Sequence, residues 1–180
     1  IAYTPAAGRK NAADKASTTA HTAQGAGYDL TVVATDALHG MEGLTIHAGM
    51  SSIEQDSTTN YDGDQDQEVF AITYAMGSFT VGYTWSESDL GKSTGALQYD
   101  NEGYGITFNV NDDLSLGYNH YESDQDNDTD VTAEATSIQI AYTTGGASIR
   151  LADASVDNAS YQTTAAYDKD ATTLSVSLAF

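Results

Sequence analysis

The side chains of this chain best equipped for chemistry are its carboxylates. Two runs are dense: Asp62-Gly63-Asp64-Gln65-Asp66-Gln67-Glu68 and Asp124-Gln125-Asp126-Asn127-Asp128-Thr129-Asp130. Alternating carboxylates offer the oxygens that Ca²⁺ collects in sets of six to eight. Asp62, Asp64, Asp66, Asp124, Asp126 and Asp128 are therefore candidate calcium ligands. Neither run has the glycine at the sixth position or the closing glutamate of an EF-hand loop. The competing reading is a solvated acidic rim, which concentrates cations and repels anions. His21, His39, His47 and His120 are not spaced as metal ligands. No Gly-x-Ser-x-Gly elbow and no phosphate loop is present. His120 and Ser115 fall on opposite faces of their strand, so they do not form a catalytic pair. The expectation is that the chain is not an enzyme and that Ca²⁺ at acidic loops is the only candidate cofactor.

Composition narrows the partners. The chain has 180 residues, 26 acidic against 6 basic, for a net charge of -20. Phosphate recognition needs Lys and Arg, so nucleic acid is not an expected partner. Cysteine is absent, which excludes disulfides, thiolate metal sites and a cysteine nucleophile. No apolar run approaches the ~18 residues of a membrane-spanning helix. The sequence opens without Met or a signal peptide and reads as mature, processed or a fragment.

The elements that must position these groups are strands. Apolar residues recur at every second position, as in Leu174, Val176, Leu178, Phe180 and in Phe79, Val81, Tyr83, Trp85. That is the strand period. Nine strands are expected, at 27–36, 43–54, 67–76, 78–88, 98–110, 113–122, 133–144, 147–157 and 169–180. Residues 1–4 read as the end of another, stopped by Pro5. Connections alternate short and long. Gly77-Ser78, Asn111-Asp112 and Gly145-Gly146 are tight turns, whereas 5–26, 55–66, 89–97 and 123–132 are long.

This is the pattern of an all-β, antiparallel, up-and-down transmembrane β-barrel, with an apolar face toward lipid and a polar face toward a lumen. The polar set is small: Thr45, His47, Thr84, Thr107, Asn109 and Asn119 are the expected pore-lining residues, together with Arg150, the one basic residue inside a confident strand. Aromatic residues near strand ends (Tyr74, Phe79, Phe108, Tyr142, Phe180) fit girdles at the membrane interfaces. Charge is expected in the loops and not on the lipid face, where it costs about 2–4 kcal/mol at the midplane.

The ending Leu174-Ser175-Val176-Ser177-Leu178-Ala179-Phe180 resembles the terminal strand of bacterial outer-membrane proteins. Segments such as Phe79-Thr80-Val81-Gly82-Tyr83 and Gly103-Tyr104-Gly105-Ile106-Thr107-Phe108 resemble strands of Gram-negative general porins of the alphaproteobacterial, Rhodobacter-like type. The resemblance implies a passive channel for small hydrophilic solutes in the bacterial outer membrane, and the acidic loops add an expected cation preference. It implies lipid and lipopolysaccharide around the barrel, a homotrimer, and an assembly signal of Leu174, Val176, Leu178 and Phe180 read by the barrel-assembly machinery. It also implies a parent of about sixteen strands. Residues 1–180 would then be one barrel domain, N-terminally truncated, with the constriction loop in the absent half. Two alternatives stay open: a small closed outer-membrane barrel acting as an adhesin or structural surface protein, and a soluble acidic calcium-binding β-domain.

Overall fold

A computed structural model describes residues 1–5, 24–55, 63–127 and 130–178. They form one antiparallel sheet of ten strands in chain order, β1–β10. The strands are Ala2–Thr4 (β1), Gln24–Ala34 (β2), Leu44–Gln55 (β3), Gln65–Met76 (β4), Phe79–Asp89 (β5), Gln98–Asn109 (β6), Leu114–Asp126 (β7), Val131–Thr144 (β8), Ala147–Asp157 (β9) and Lys169–Leu178 (β10). The nine expected strands are all present, and the stub at the start is a tenth. The sheet is open. β10 pairs only with β9, and β1 covers only Gly27–Asp29 of β2.

Local chemistry sets the turns. Gly77, Gly145 and Gly146 take φ of 59°, 51° and 87°, where a side chain is strained and glycine is not. The Asn111 carboxamide oxygen accepts the backbone N–H groups of Asp113 and Leu114, each at 2.9 Å. A four-residue helix, α1 (Asp36–His39), fills the β2–β3 connection and ends at Gly40 in the left-handed conformation.

Register sorts the side chains onto two faces, because residues directly opposite point the same way. One face carries an apolar belt beside the short turns. It includes Tyr74, Ile72 and Phe70 on β4, Phe79, Val81, Tyr83 and Trp85 on β5, Phe108, Ile106 and Tyr104 on β6, and Leu116, Ile140 and Leu151 farther along. Phe79 and Phe108 stack with centroids 4.5 Å apart. Nothing covers the belt: no apolar residue is buried among the described residues, and Val81, Ile106, Leu116, Ile140 and Leu151 are each 40–41% exposed. A sandwich would lay a second sheet about 10 Å away on this face; the described residues supply none.

Two expectations need correction. The long connections are shorter than expected, since β4 begins at Gln65, β7 runs to Asp126 and β8 begins at Val131. Moreover, charge is not confined to loops. Asp66, Glu68, Glu87, Asp89, Asp100, Glu102, Glu122, Asp124, Asp126 and Glu134 stand on the apolar face, in the strand halves beyond the belt. Backbone hydrogen bonds are indifferent to side-chain polarity, so the ladders continue where the apolar signal stops.

Candidate functional site

The opposite face is polar and small. Its register rows hold every expected wall residue. Thr45 shares a row with Thr73, Gly82, Gly105 and Asn119. His47 shares one with Ala71, Thr84, Gly103 and Tyr121. Asn109, Ser115, Ala141 and Arg150 make another. From β4 to β8 this face has no Asp, Glu, Lys, Arg or His. Thr84, Thr107 and Asn119 line one concavity of about 420 Å³, with Thr73, Thr80 and Tyr121. Arg150 lines a second, between Ala141 and Ser175, neither of them a charge partner. Thr45, His47 and Asn109 lie on the same face outside these two. Arg150 is not the only strand cation: Lys169 opens β10 on this face, where its ammonium donates to the Ala166 carbonyl.

Sequence reading missed the outer end of this face. The β9–β10 connection, residues 158–168, folds over it. Its Tyr161 ring lies 5.4 Å from Tyr99, and its hydroxyl is 2.7 Å from Ser123 Oγ. Ser123 Oγ donates to Asn101 Oδ1 at 2.6 Å, so its single proton is spent and Tyr161 must be the donor to Ser123. Tyr121 also donates to Asn101 Oδ1 (2.8 Å), and Asn101 Nδ2 donates to Ser86 Oγ (3.3 Å). The network thus runs from the connection to β5. Ser123 is only 5% exposed. Asn158, Ser160 and Tyr161 hold φ of 53°, 58° and 56°, a conformation that costs non-glycine residues on the order of 1 kcal/mol each. A signal was available: Tyr121 is a bulky ring among small residues at polar-face parity. It lies over Gly103, where an added Cβ would meet its ring at 3.1 Å.

The carboxylates of the other face form rows across strands. Glu68, Glu87, Asp100 and Asp124 are successive neighbours, as are Glu102, Glu122 and Glu134. No Lys or Arg stands among them on the described strands of that face. Directly opposed like charges destabilise a sheet. Glu87, beyond the belt, is raised from the ordinary glutamate value by partial burial first and then by Asp100, Glu68 and Asp89. A carboxyl raised on folding binds its proton more tightly in the folded state. Its stabilising contribution is therefore full below the unfolded value and is lost as pH rises through the folded one. Glu87→Gln is expected to raise the neutral-pH unfolding midpoint, with the gain fading as pH falls below the ordinary carboxylate range. A pH-independent gain would refute repulsion as the cause.

Of the candidate calcium ligands, Asp62 and Asp128 lie outside the described residues. The others do not converge as a loop site. Asp64 accepts the Gln55 backbone N–H at 3.3 Å. Asp66 stands between Ser52 and Asp89, and Asp124 between Asp100 and Thr132, whose hydroxyl donates to it. Asp126 faces Gln98. A separate group, His120, Glu122 and Glu134, has ligand atoms within 4.8 Å of one another. His120 Nε2 lies 2.9 Å from Glu122, while Nδ1 lies 3.7 Å from Glu134. One ion reaches only one ring nitrogen, and Nδ1 lies closer to Thr136 Oγ1, at 3.3 Å, than to Glu134.

Leu174, Val176 and Leu178 lie on the apolar face of β10, 59–67% exposed; Phe180 is outside the described residues. No protein-family model matches the chain, and no curated protein matches it.

Proposed function

We propose that this chain forms the wall of a water-filled channel in a bacterial outer membrane, a porin-like β-barrel through which small hydrophilic solutes and ions diffuse without a reaction or an energy source. One observation carries the reading: none of the described residues covers the apolar belt, while the reverse face of the same strands is mostly hydroxyl, amide, glycine and alanine and carries no charge from β4 to β8. A sheet that is apolar outside and polar inside is what lipid around a wet lumen selects. The belt runs about 13–20 Å along the strands, from Leu114 to Tyr118 on β7 and from Phe79 to Trp85 on β5. A typical barrel band is about 25 Å, and a bilayer meets a shorter one by thinning.

Asp29 stands on the polar wall and Asp153 stands opposite Ile138 at the level of the belt, but the other carboxylates of the described strands lie on the outside, at the strand ends beyond the belt. Cation preference is therefore a property of the mouth, where a negative field gathers cations. Divalent cations would bridge these carboxylates to lipopolysaccharide phosphates. Millimolar Ca²⁺ is accordingly expected to raise the unfolding temperature more than NaCl of equal ionic strength; equal effects would leave the acids as a solvated rim.

In lipid, unpaired strand edges cost several kcal/mol per polar group, so the reading requires both edges of the sheet to be paired. An intact mass of the detergent-extracted polypeptide near twice 19.0 kDa would agree with a larger parent barrel, which in the proteins it resembles is a trimer assembled by the barrel-assembly machinery. A mass of 19.0 kDa would point to a small barrel closed by its own edges.

The direct test is solute flux. The detergent-extracted protein, reconstituted into liposomes, is expected to admit small sugars and to conduct ions with a mild cation preference. Arg150→Gln should strengthen that preference. Folded, inserted protein that passes no solute would overturn the channel.

A further inference from the structure

The β9–β10 connection crosses the polar face. Strands in a sheet are about 4.8 Å apart. Ser123 on β7 and Tyr99 on β6 are two and three strands from β9, so Tyr161 reaches roughly 10–14 Å sideways from its own strand. Asn158 fixes the base of the segment: its N–H donates to Asp168 Oδ1 at 3.2 Å, and its Nδ2 donates to the Thr132 carbonyl at 2.9 Å. Tyr161 fixes the tip, through its ring and its hydroxyl. Three left-handed residues in four hold the chain in a conformation that the segment would not keep without these anchors.

We propose that the constriction of this channel lies in residues 158–168, not in an absent half as the resemblance implies, and that Tyr161 sets its width. The proposal rests on the channel reading above and adds to it the segment that decides which solutes pass. The groups around the tip are neutral: Tyr99, Tyr121 and Tyr161 present rings and hydroxyls, Asn101 and Gln125 present amides, and Gln125 Nε2 donates to the Tyr99 hydroxyl at 2.9 Å. The narrowing therefore sorts by size and by hydrogen-bonding capacity, not by charge. Neutral polyhydroxylated solutes are the class it suits, because rings stack on sugar faces and amides bond their hydroxyls.

The experiment compares wild type, Tyr161→Ala, Tyr161→Phe and Ser123→Ala in planar bilayers and in liposomes challenged with mono-, di- and trisaccharides. Tyr161→Ala is expected to raise single-channel conductance about twofold and to speed trisaccharide entry more than monosaccharide entry, with the reversal potential unchanged. Tyr161→Phe keeps the ring and loses the donor, and Ser123→Ala loses the acceptor; both should fall between wild type and Tyr161→Ala. Equal conductance and equal size exclusion in all inserted variants would overturn the constriction while leaving the channel intact. A shifted reversal potential would overturn the neutral sorting. Should Tyr161→Ala fail to insert, the other two variants decide alone. A wild type without flux would instead sink the channel reading itself.

Discussion

Ile140→Arg is expected to lower stability in phospholipid vesicles by about 2–4 kcal/mol, the cost of a cation near the midplane of a barrel's lipid face. Gln139→Arg, one position earlier, should stay within about 1 kcal/mol of wild type. Ile140 stands between Leu116 and Leu151 in the belt and is 40% exposed. In water its replacement by Arg would be tolerated, since a partly exposed surface position seldom costs more than about 0.5 kcal/mol. In lipid the same change strands a guanidinium in hydrocarbon. Gln139 faces the other way, between Gly117 and Ala152, where a long side chain has small neighbours and, on the channel reading, water. Urea titration of both variants in vesicles separates the environments of the two faces. Equal costs would refute the assignment of lipid to one face and water to the other.

Gly43→Ala is the backbone counterpart, with an expected loss on the order of 3 kcal/mol. Gly43 has φ of 79°, and an added Cβ would sit 2.2 Å from the Ala75 carbonyl oxygen. Its own carbonyl accepts the Ala75 N–H at 2.9 Å. An alanine meets both the left-handed penalty of about 1–2 kcal/mol and a contact relieved only by shifting the ladder, which endangers a hydrogen bond worth about 1 kcal/mol. Gly77→Ala is the control: φ is 59° and nothing lies within 4 Å of the added carbon, so about 1–2 kcal/mol is expected. Unfolding midpoints of the two variants check this. Similar losses would mean that the strand gives way at Gly43 without cost.

The strands were legible because one period runs through them. Thr45, His47, Thr84, Thr107, Asn109, Asn119 and Arg150 could be placed together by parity alone, since each alternates with apolar neighbours and register carries parity across the sheet. The outer ends of β4, β7 and β8, residues 65–66, 123–126 and 131–132, were read as loop for the same reason. Asp66, Asp124 and Thr132 hold apolar-face positions with polar side chains, so the alternation vanished to the eye while the hydrogen-bonded ladder continued. Calcium ligands were sought along the chain, at Asp62, Asp64 and Asp66, although the closest carboxylates lie across it, as Glu87 does beside Glu68 and Asp100. Tyr161 was out of reach of any pattern: its bond to Ser123 spans 38 positions and joins a connection to a strand two places away.

The unequal rims have a consequence for how such a chain can change over generations. At Gly145-Gly146 or Gly77-Ser78, one inserted residue would slip the register and turn every following side chain to the wrong face. At the far rim an insertion lengthens a connection at a cost that grows only slowly with length, and no strand is disturbed. Inheritance can therefore experiment most freely at that end, and at the other only in the β2–β3 connection that α1 already fills. On the outer-membrane reading, the rim that carries the longer connections should differ most from one descendant to the next in whatever phages, antibodies or neighbouring cells encounter, while the tight turns at the other rim stay short.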